Sequence, residues 1–379
     1  MGVSYIGWGD GTSREELFEM LNYTFGHNGI DKNFETMFPA LYKESQEPEK
    51  HNLIVRENGK LVAAVGVFPR KIRVGEETLE SWGIGNVAVH PAYRGRGYMQ
   101  QLMKLALEKM LEAGIDMSDL GGQRQRYQYF GYEIDCPPVY FRTTKRTVNH
   151  HFRHGTGRQL DLHVMTPDDT AYWDAAYALH EKSACRVLRG RELFPDVTVS
   201  HYNKAVAVLE NGRFLGYYTG ELTELSLEDP ADLPAVLAEY VGRYGEITFP
   251  IAPWDTEMLR IASDFCEEAS AKNREKCTIF HFKKVISAYL KLEAGYLTLP
   301  EGSRSYLVKG FAGDEAFTVT VRGGQPSVTP CAPEEAETVL EHCEAINFFF
   351  GIYSDRRRSD PFARAMFPLP MYFTRADHV

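Results

Sequence analysis

A repeated hairpin signal constrains the fold of this chain of 379 residues more than any other feature. Asn58-Gly59 and Asn211-Gly212 each lie between two β-prone runs, a pattern typical of a type I′ hairpin turn. Each hairpin follows a predicted amphipathic helix. The first spans residues 13–25, and the second is predicted to begin at Thr166 as N-cap, with Pro167 in the first helical position. We therefore expect two copies of one α/β unit.

The chain is long enough for more than these two units, since a typical domain has about 150 residues. We expect a mixed α/β domain over residues 1–145, a second copy over residues 146–282 and a distinct α+β domain over residues 283–379. A Pro-initiated helix is predicted for residues 333–345 of the third domain. The fold class is thus α/β, in tandem units with mixed sheets, followed by an α+β domain.

Composition and charge exclude several classes of protein. Apolar residues make up 44% of the chain and charged residues 25%, as in a globular protein. The net charge of −10 gives no attraction for nucleic acid or acidic membranes, and favours cationic small molecules as partners. The six cysteines are scattered without a CxxC motif, so we expect reduced thiols and no metal. Neither a signal peptide nor a membrane-spanning run is visible, which predicts a cytoplasmic protein.

A glycine-rich loop between a buried strand and a helix is the strongest candidate binding site. Residues 87–93 end the strand and Arg94-Gly95-Arg96-Gly97 follows directly. The apolar positions from Met99 to Met110 have helical spacing, with Gly114 as the C′ residue. Glycines expose backbone N–H groups and a helix N-terminus carries positive dipole charge, so the segment is suited to a pyrophosphate. A plain turn with solvated arginines is the alternative.

Arg94-Gly95-Arg96-Gly97 resembles motif A of the GNAT acetyltransferases, Gln/Arg-x-x-Gly-x-Gly/Ala, in which Met99 occupies the final small position. An apolar residue there is similar to the enhanced intracellular survival family, and residues 127–132 resemble the GNAT element with a tyrosine four positions before glycine. The resemblance implies tandem GNAT folds with mixed sheets, a C-terminal sterol-carrier-like domain, a cytoplasmic homo-hexamer and acetyl-CoA without metal. The implied acetyl-CoA contacts are Val87, Ala88, Val89, Arg94, Gly95, Arg96, Gly97, Tyr98 and Met99.

The resemblance also implies the catalytic groups. Tyr127 is the candidate proton donor to the departing thiolate, with Tyr129 and Tyr132 as alternatives. The C-terminal carboxylate, here on Val379, is the implied general base, and neighbouring Asp377 or His378 are alternatives. The acceptor pocket is predicted to be lined by Phe25, His27, Trp82 and Asn86.

The leading interpretation is an N-acetyltransferase acting on a primary amine of a cationic acceptor, such as an aminoglycoside, a polyamine or a lysine, by direct attack in a ternary complex. One alternative is a non-catalytic regulatory protein that binds CoA or another ligand on the same scaffold. Another is an aminoacyl or long-chain acyl transferase, because tandem units also occur there. The second unit has no counterpart of Arg94-Gly95-Arg96-Gly97, so we expect one cofactor site per chain.

Overall fold

A computed structural model describes residues 2–26, 33–272 and 275–378. Its strands are β1 (Val3–Trp8), β2 (Asn52–Glu57), β3 (Lys60–Val74), β4 (Glu77–Val89), β5 (Met117–Gly121), β6 (Glu133–Ile134), β7 (Val139–Thr144), β8 (Leu160–Val164), β9 (Cys185–Val187), β10 (Ala205–Glu210), β11 (Arg213–Thr219), β12 (Glu224–Leu227), β13 (Glu246–Ile251), β14 (Glu268–Ala271), β15 (Glu275–Ile279), β16 (Gly302–Gly310), β17 (Gly313–Arg322), β18 (Gln325–Pro330) and β19 (Thr338–Glu341). Its α-helices are α1 (Arg14–Gly26), α2 (Phe34–Met37), α3 (Pro39–Tyr42), α4 (Tyr98–Ala113), α5 (Arg124–Tyr127), α6 (Lys145–His151), α7 (Thr170–Lys182), α8 (Phe194–Thr198), α9 (Leu233–Tyr244), α10 (Thr256–Phe265), α11 (Phe282–Ala294), α12 (His342–Phe350) and α13 (Pro361–Met366).

The chain divides into two compact units. Unit 1 consists of Met1–Asp135, Arg274–Leu369 and His378–Val379, and unit 2 of Cys136–Asn273 and Pro370–Asp377. The mixed α/β class is confirmed, because helices alternate with mixed sheets along the chain. The predicted domain boundaries at residues 145 and 282 group the chain differently, and they stay a prediction.

The main sheet of unit 1 has the strand order β1-β2-β3-β4-β5-β15-β6. The β2–β3 hairpin turns at Asn58 and Gly59, whose φ values of 52° and 78° are those of the predicted type I′ turn. β4 pairs antiparallel with β3 and parallel with β5. The buried stripe of α4, which includes Leu102 and Met110, packs on one face of this sheet, and Leu17 of α1 packs on the other. Each such fully buried side chain contributes roughly 1.5–3 kcal/mol relative to exposure.

The C-terminal sheet of unit 1 has the order β18-β17-β16-β19. The predicted helix over residues 333–345 is wrong. A short 3-10 turn at Pro333–Glu335 is followed by strand β19, and the helix begins only at His342. β19 pairs parallel with β16, from Tyr306 opposite Thr338 onward. This long-range pairing of β-branched residues overrides the local helix signal.

Unit 2 contains two sheets, with the orders β12-β11-β10-β8 and β13-β7-β14. Its β10–β11 hairpin turns at Asn211 and Gly212 with φ values of 49° and 78°, so both predicted Asn-Gly turns have the same conformation. The helix before this hairpin was predicted to begin with Thr166 as N-cap, which is wrong, since α7 begins at Thr170 with Asp169 as its N-cap. The Asp169 carboxylate accepts hydrogen bonds from the Thr166 N–H and hydroxyl, which closes a turn before the helix.

Candidate active site

The end of β4 forms one wall of the candidate site. The parallel β4–β5 ladder runs from Ser81 opposite Met117 to Ile84 opposite Leu120, and it ends there among the described residues. β4 continues to Val89, beyond the last paired residue of β5. Its main-chain groups on that edge are therefore placed to bind an extended ligand as an added strand would. The predicted main-chain contacts at Val87 and Val89 lie on this segment.

A β-bulge reshapes β4 at Asn86. Gly85 lies opposite Gly66 and Ala88 opposite Ala64, so β4 has one more residue than β3 between these pairs. Asn86 has a φ of 37°. A bulge of this kind bends the strand and redirects the side chains that follow it. Gly66 is required here, because a Cβ at that position would lie 2.0 Å from the Asn86 side-chain oxygen.

The glycine-rich loop presents the N-terminus of α4 without a side-chain cap. Gly95 and Gly97 have φ values of 80° and 77°, a conformation that glycine adopts at little cost. Gly97 is the N-cap, and the first-turn N–H groups have no capping side chain. A Cβ at Gly95 would meet no atom within 4 Å, so the loop surface is open. Arg94 is exposed and makes no ion pair within the described ranges. The geometry fits an anionic ligand such as a pyrophosphate.

Arg96 braces the loop. Its guanidinium donates two hydrogen bonds of 2.5 and 2.8 Å to the carboxylate of Glu57, in the β2–β3 hairpin. Tyr98 OH donates to the same carboxylate, and Arg96 also lies 4.8 Å above the Tyr93 ring. The bonds from Tyr98 and Arg96 lower the pKa of Glu57, so it stays ionised. Arg96 and Tyr98 were predicted from the sequence to contact acetyl-CoA. Glu57 was not predicted, because in the sequence it is only a residue next to the Asn58-Gly59 turn.

Tyr127 ends α5 and is buried, with 6% of its surface exposed. A Cβ added to Gly122 would lie 2.8 Å from the Tyr127 ring, so that glycine makes room for the phenol. Burial raises the pKa of Tyr127, which keeps the phenol protonated at neutral pH and able to donate a proton. Of the alternatives, Tyr129 is 66% exposed, while Tyr132 is fully buried and shares a 2.8 Å hydrogen bond with Ser118.

Two sets of contacts hold the short segment that carries Tyr127. Arg124 Nη2 donates a 2.6 Å hydrogen bond to Glu133, and Gln128 donates one of 2.9 Å to the same carboxylate. Phe311 approaches Gly131 so closely that a Cβ there would lie 2.1 Å from its ring.

His342 completes the second set. It stacks on Phe311 with ring centroids 4.1 Å apart and shares a 2.8 Å hydrogen bond with Thr278. Burial lowers the pKa of His342 to about 4, so the ring is neutral near pH 7. We call Gly131, Phe311 and His342 the aromatic clamp. Phe311 and His342 were not predicted, because the turn after β16 and the start of α12 meet residues 127–132 only in the folded chain.

The predicted acceptor-pocket residues lie on two faces of the sheet. Trp82 is half-buried in the cluster that includes Tyr127 and the stripe of α4. Phe25 packs on the other face, with its ring 5.1 Å from Phe34. The Asn86 side chain donates a 2.7 Å hydrogen bond to Asn52 and accepts one from Tyr42, so the bulge ties it to the face of Phe25. His27 lies outside the described residues.

The implied general base is only partly described. Val379 lies outside the described residues, and the His378 imidazole is 3.6 Å from the Glu275 carboxylate within unit 1. The Asp377 carboxylate belongs to unit 2, where it accepts hydrogen bonds of 2.8 and 2.9 Å from Arg189. Asp377 is thus engaged in a buried ion pair. The general base stays a prediction.

Comparisons with known proteins identify the family of one part of the chain and the fold of the whole. Residues 11–134 match the family model of the acetyltransferase (GNAT) domain, while no curated protein sequence matches the chain. Among solved structures, a GCN5-related N-acetyltransferase from Anabaena variabilis is similar at 13% identity and a TM-score of 0.68, covering 98% of both chains. A probable N-acyltransferase from Enterococcus faecalis has 16% identity and a TM-score of 0.66, covering 99% of both chains. Eis1 from Mycobacterium abscessus has 13% identity and a TM-score of 0.64, covering 96% of both chains.

Residues 11–134 are therefore a GNAT acetyltransferase domain, and the chain as a whole shares the fold of these N-acyltransferases. The protein thus contains an acyltransferase domain of the GNAT type, and its fold resembles that of Eis1, as the sequence predicted. No helix in the described part of the chain is both long and apolar enough to cross a bilayer. Over the same residues, no cluster of three His, Cys, Asp or Glu side chains is arranged to bind a metal ion.

Proposed function

We propose that this protein transfers an acetyl group from acetyl-CoA to a primary amine of a small cationic acceptor, by direct attack in a ternary complex. One observation carries the proposal. The end of β4, which has β3 but no β5 residue opposite it, the uncapped N-terminus of α4 and the buried Tyr127 all belong to one α/β unit, and the proposal puts the acetyl-CoA cleft where β4 and β5 separate. That arrangement supplies an anion site, a strand edge and a proton donor.

The reaction balances with these groups. Acetyl-CoA supplies a thioester carbonyl, to which a neutral amine adds; an N–C bond forms and the C–S bond breaks. The main chain of β4 near Val87 and Val89 orients the pantetheine arm, and the loop N–H groups with Arg94 hold the pyrophosphate. Tyr127, whose phenol is protonated at neutral pH because burial raises its pKa, donates its proton to the departing thiolate. The proton lost by the amine passes to the predicted base at the C-terminus.

The wider predictions are part of the proposal. Residues 1–145 act as the catalytic domain, residues 146–282 as a degenerate copy and residues 283–379 as a sterol-carrier-like domain. The protein acts in the cytoplasm as a homo-oligomer, a hexamer by family resemblance, on an aminoglycoside, a polyamine or a lysine-like amine. The net charge of −10 supports a cationic acceptor.

The test measures thiol release from acetyl-CoA against a panel of aminoglycosides, polyamines and lysine peptides, together with calorimetric titration of CoA. Tyr127→Phe removes the proton donor and is expected to lower turnover at least about 100-fold, the lower end of general-acid effects, with CoA binding retained. Tyr129→Phe is the matched control, because Tyr129 is a neighbouring but exposed tyrosine. Equal activity of both variants would reject Tyr127 as the acid. CoA binding without turnover on any amine would favour the regulatory alternative.

A further inference from the structure

The bulge in β4 holds one residue in an unfavourable backbone conformation. Asn86 has a φ of 37°, in the left-handed region that residues other than glycine seldom adopt. Asparagine is one of the few that tolerate it, because its short polar side chain can form hydrogen bonds nearby. Such a conformation persists where neighbouring groups hold it, and it is common at functional sites. The groups that hold Asn86 are therefore informative about the site.

The Asn86 carboxamide is held at both ends. Its nitrogen donates a 2.7 Å hydrogen bond to the side-chain oxygen of Asn52, and its oxygen accepts one from the Tyr42 hydroxyl. Asn52 in turn donates a 2.8 Å hydrogen bond to the Pro48 carbonyl, in the turn before β2. We call Tyr42, Asn52 and Asn86 the bulge lock. The carboxamide of Asn86 is thus engaged with groups of unit 1 itself.

The strands beside the bulge leave room for the Asn86 side chain. Asn52 of β2 lies opposite Gly66 of β3, and Gly66 lies opposite Gly85 of β4. Because Gly66 has no side chain, the Asn86 carboxamide lies across β3 and contacts a strand that is not its neighbour. A Cβ at Gly66 would lie 2.0 Å from the Asn86 oxygen and 2.6 Å from the Phe68 ring. The missing side chain of β3 is therefore what allows the bulge lock to form.

Burial makes two members of the bulge lock rigid. Asn52 is fully buried, and Tyr42, at the end of α3, is 1% exposed. The rings of Phe34 and Phe68 lie 5.2 and 5.6 Å from the Tyr42 ring, so the phenol has little freedom to turn away. Burial also raises the pKa of Tyr42 well above its usual value, which keeps the hydroxyl protonated as a donor. Buried polar groups whose partners are all in place fix one arrangement of the chain.

The bulge lock acts on the part of β4 that the proposed reaction uses. Ile84 is the last residue of β4 with a β5 residue opposite it, and the bulge follows two residues later. A bulge bends its strand and sets the direction of the residues that follow. The conformation of Asn86 therefore decides where the main-chain groups of Val87 and Val89 point.

We propose that the three residues of the bulge lock are positioning residues, which fix the backbone of the bulge and so hold the end of β4 in the shape that orients the thioester carbonyl of acetyl-CoA. This role rests on the proposed acetyl transfer, and it gives Asn86 a function different from binding the acceptor amine. The bulge lock takes part in no bond change and no proton transfer. It raises the fraction of bound acetyl-CoA whose carbonyl has the geometry for attack.

Steady-state kinetics of thiol release test this role in the wild type and two variants. Tyr42→Phe removes the hydroxyl but keeps the ring, and Asn86→Gly removes the carboxamide while a positive φ stays accessible. Each is expected to lower kcat about tenfold and to leave the KM of the acceptor amine unchanged. Adding Tyr42→Phe to Asn86→Gly should cause no further loss, because the hydroxyl has then already lost its acceptor.

Tyr306→Phe is the matched control. Tyr306 is also a fully buried tyrosine of unit 1, but its hydroxyl has no hydrogen-bond partner among the described residues. Its kcat should equal that of the wild type.

Calorimetric titration gives a second readout that does not depend on turnover. CoA lacks the acetyl group, so a displaced bulge should weaken the binding of acetyl-CoA more than that of CoA. In both Tyr42→Phe and Asn86→Gly we expect the loss of affinity for acetyl-CoA to exceed the loss for CoA at least about threefold, the effect of one weakened hydrogen bond.

The outcomes separate the bulge lock from the proposed activity. If the wild type acetylates an amine and either folded variant matches its kcat, or if Asn86→Gly raises only the KM of the amine, the bulge lock is overturned and the acetyl transfer is not. Additive losses of kcat in the double variant also overturn it. If the wild type acetylates no amine, the proposed function fails and the titration decides: equal losses for acetyl-CoA and CoA, or none, overturn the bulge lock.

Two further outcomes are decisive. No binding of acetyl-CoA by the wild type overturns both proposals. If circular dichroism shows that Tyr42→Phe is unfolded, Asn86→Gly alone decides by the same criteria.

Discussion

The strand–turn–helix segments β4–α4 and β12–α9 have the same beginning and opposite chemistry. In both, a 3-10 turn starts with proline and is capped by the preceding side chain, His90 accepting from the Ala92 N–H and Asp229 from the Ala231 N–H. After that turn the first segment makes the loop Arg94-Gly95-Arg96-Gly97, while the second enters its helix directly through Asp232. Two segments with the same order of elements thus carry arginines and glycines before one helix and carboxylates before the other.

The same pair of segments shows how each loop is anchored. Glu57, before the first Asn-Gly turn, binds Arg96 of the loop directly. Glu210, before the second Asn-Gly turn, binds Arg158, which in turn binds Asp232. In each case the glutamate of the hairpin is linked to the segment before the helix by one arginine, which belongs to that segment in the first case and lies outside it in the second. We therefore expect the difference in the sign of the charge at the helix N-terminus, and not the anchoring, to decide which segment can bind a pyrophosphate.

The most direct way to break this difference is Gly97→Asp, which gives the first loop the acidic character of the second. We expect CoA affinity to fall at least about 100-fold, equivalent to about 2.8 kcal/mol, because a carboxylate would oppose the pyrophosphate and strain a residue with φ of 77°. Calorimetric titration of CoA measures the effect. Gly75→Asp is the control, since Gly75 also has positive φ and open space but lies in the β3–β4 turn. An equal loss in both variants would show a general folding defect.

The aromatic clamp, which the first unit uses to hold the Tyr127 segment, should respond to pH. The pKa of His342 is about 4 in the folded protein and about 6.5 in the unfolded chain. As the pH falls, the His342 imidazole takes up a proton in the unfolded chain before it does so in the folded protein. The stabilisation by the neutral His342 ring is therefore fully present above pH 6.5 and is lost as the pH falls toward 4. At pH 5 the free energy of unfolding is lower by about 2 kcal/mol, since each unit of pKa difference is equivalent to about 1.4 kcal/mol.

Urea denaturation of the wild type and of His342→Gln at pH 7 and pH 5 measures this contribution. The variant is expected to be less stable at pH 7 but to lose less stability between the two pH values. The same pH dependence in both proteins would contradict the assignment to His342.

The clamp should also affect turnover through the position of Tyr127. Phe311→Ala removes the ring beside Gly131, and we expect kcat to fall about tenfold, with CoA affinity unchanged, because misplacing a catalytic group by about an ångström has effects of this order or larger. Steady-state kinetics and CoA titration separate the two quantities. Leu297→Ala, at an exposed residue of the same unit, is the control.

Gly131→Ala sharpens this prediction. The added Cβ would lie 2.1 Å from the Phe311 ring at a residue with φ of 82°, so the variant carries both a clash and backbone strain. Combining it with Phe311→Ala removes the clash and should recover part of the lost stability. The measurement is the free energy of unfolding of both single variants and of the double variant. If the two losses simply add in the double variant, the contact between Gly131 and Phe311 is not tight.

The smallest expected effect concerns Arg94. This exposed arginine carries a charge without an ion-pair partner in the described part of the chain, so Arg94→Ala is expected to lower CoA affinity about threefold to tenfold, less at high salt. Arg213→Ala is the control, because Arg213 is exposed beside the second Asn-Gly turn. Equal affinity of wild type and Arg94→Ala at low salt would remove Arg94 from the pyrophosphate site.

The sequence by itself determined the features that depend on neighbouring residues. Both Asn-Gly turns, the left-handed glycine Gly114 at the end of α4 and the glycine-rich loop were predicted, since these conformations follow from glycine or from short polar side chains. The strand that ends at Val89 was predicted from residues that lie close together in the chain, and the role of Tyr127, taken from the family resemblance, stays a prediction. The start of α7 was missed because Asp169 and Thr166 form a turn that competes with a helix cap.

Only the tertiary structure decided which of these residues meet. The bulge at Asn86 arises from the register between β3 and β4, and it turns that side chain toward Tyr42 and away from the face that carries Trp82. The clamp on Gly131 joins residues from distant parts of unit 1, and in unit 2 the C-terminal segment Pro370–Asp377 lies beside β12 and β13. Contacts of this kind depend on long-range packing of side chains, which the local periodicity of a sequence does not encode.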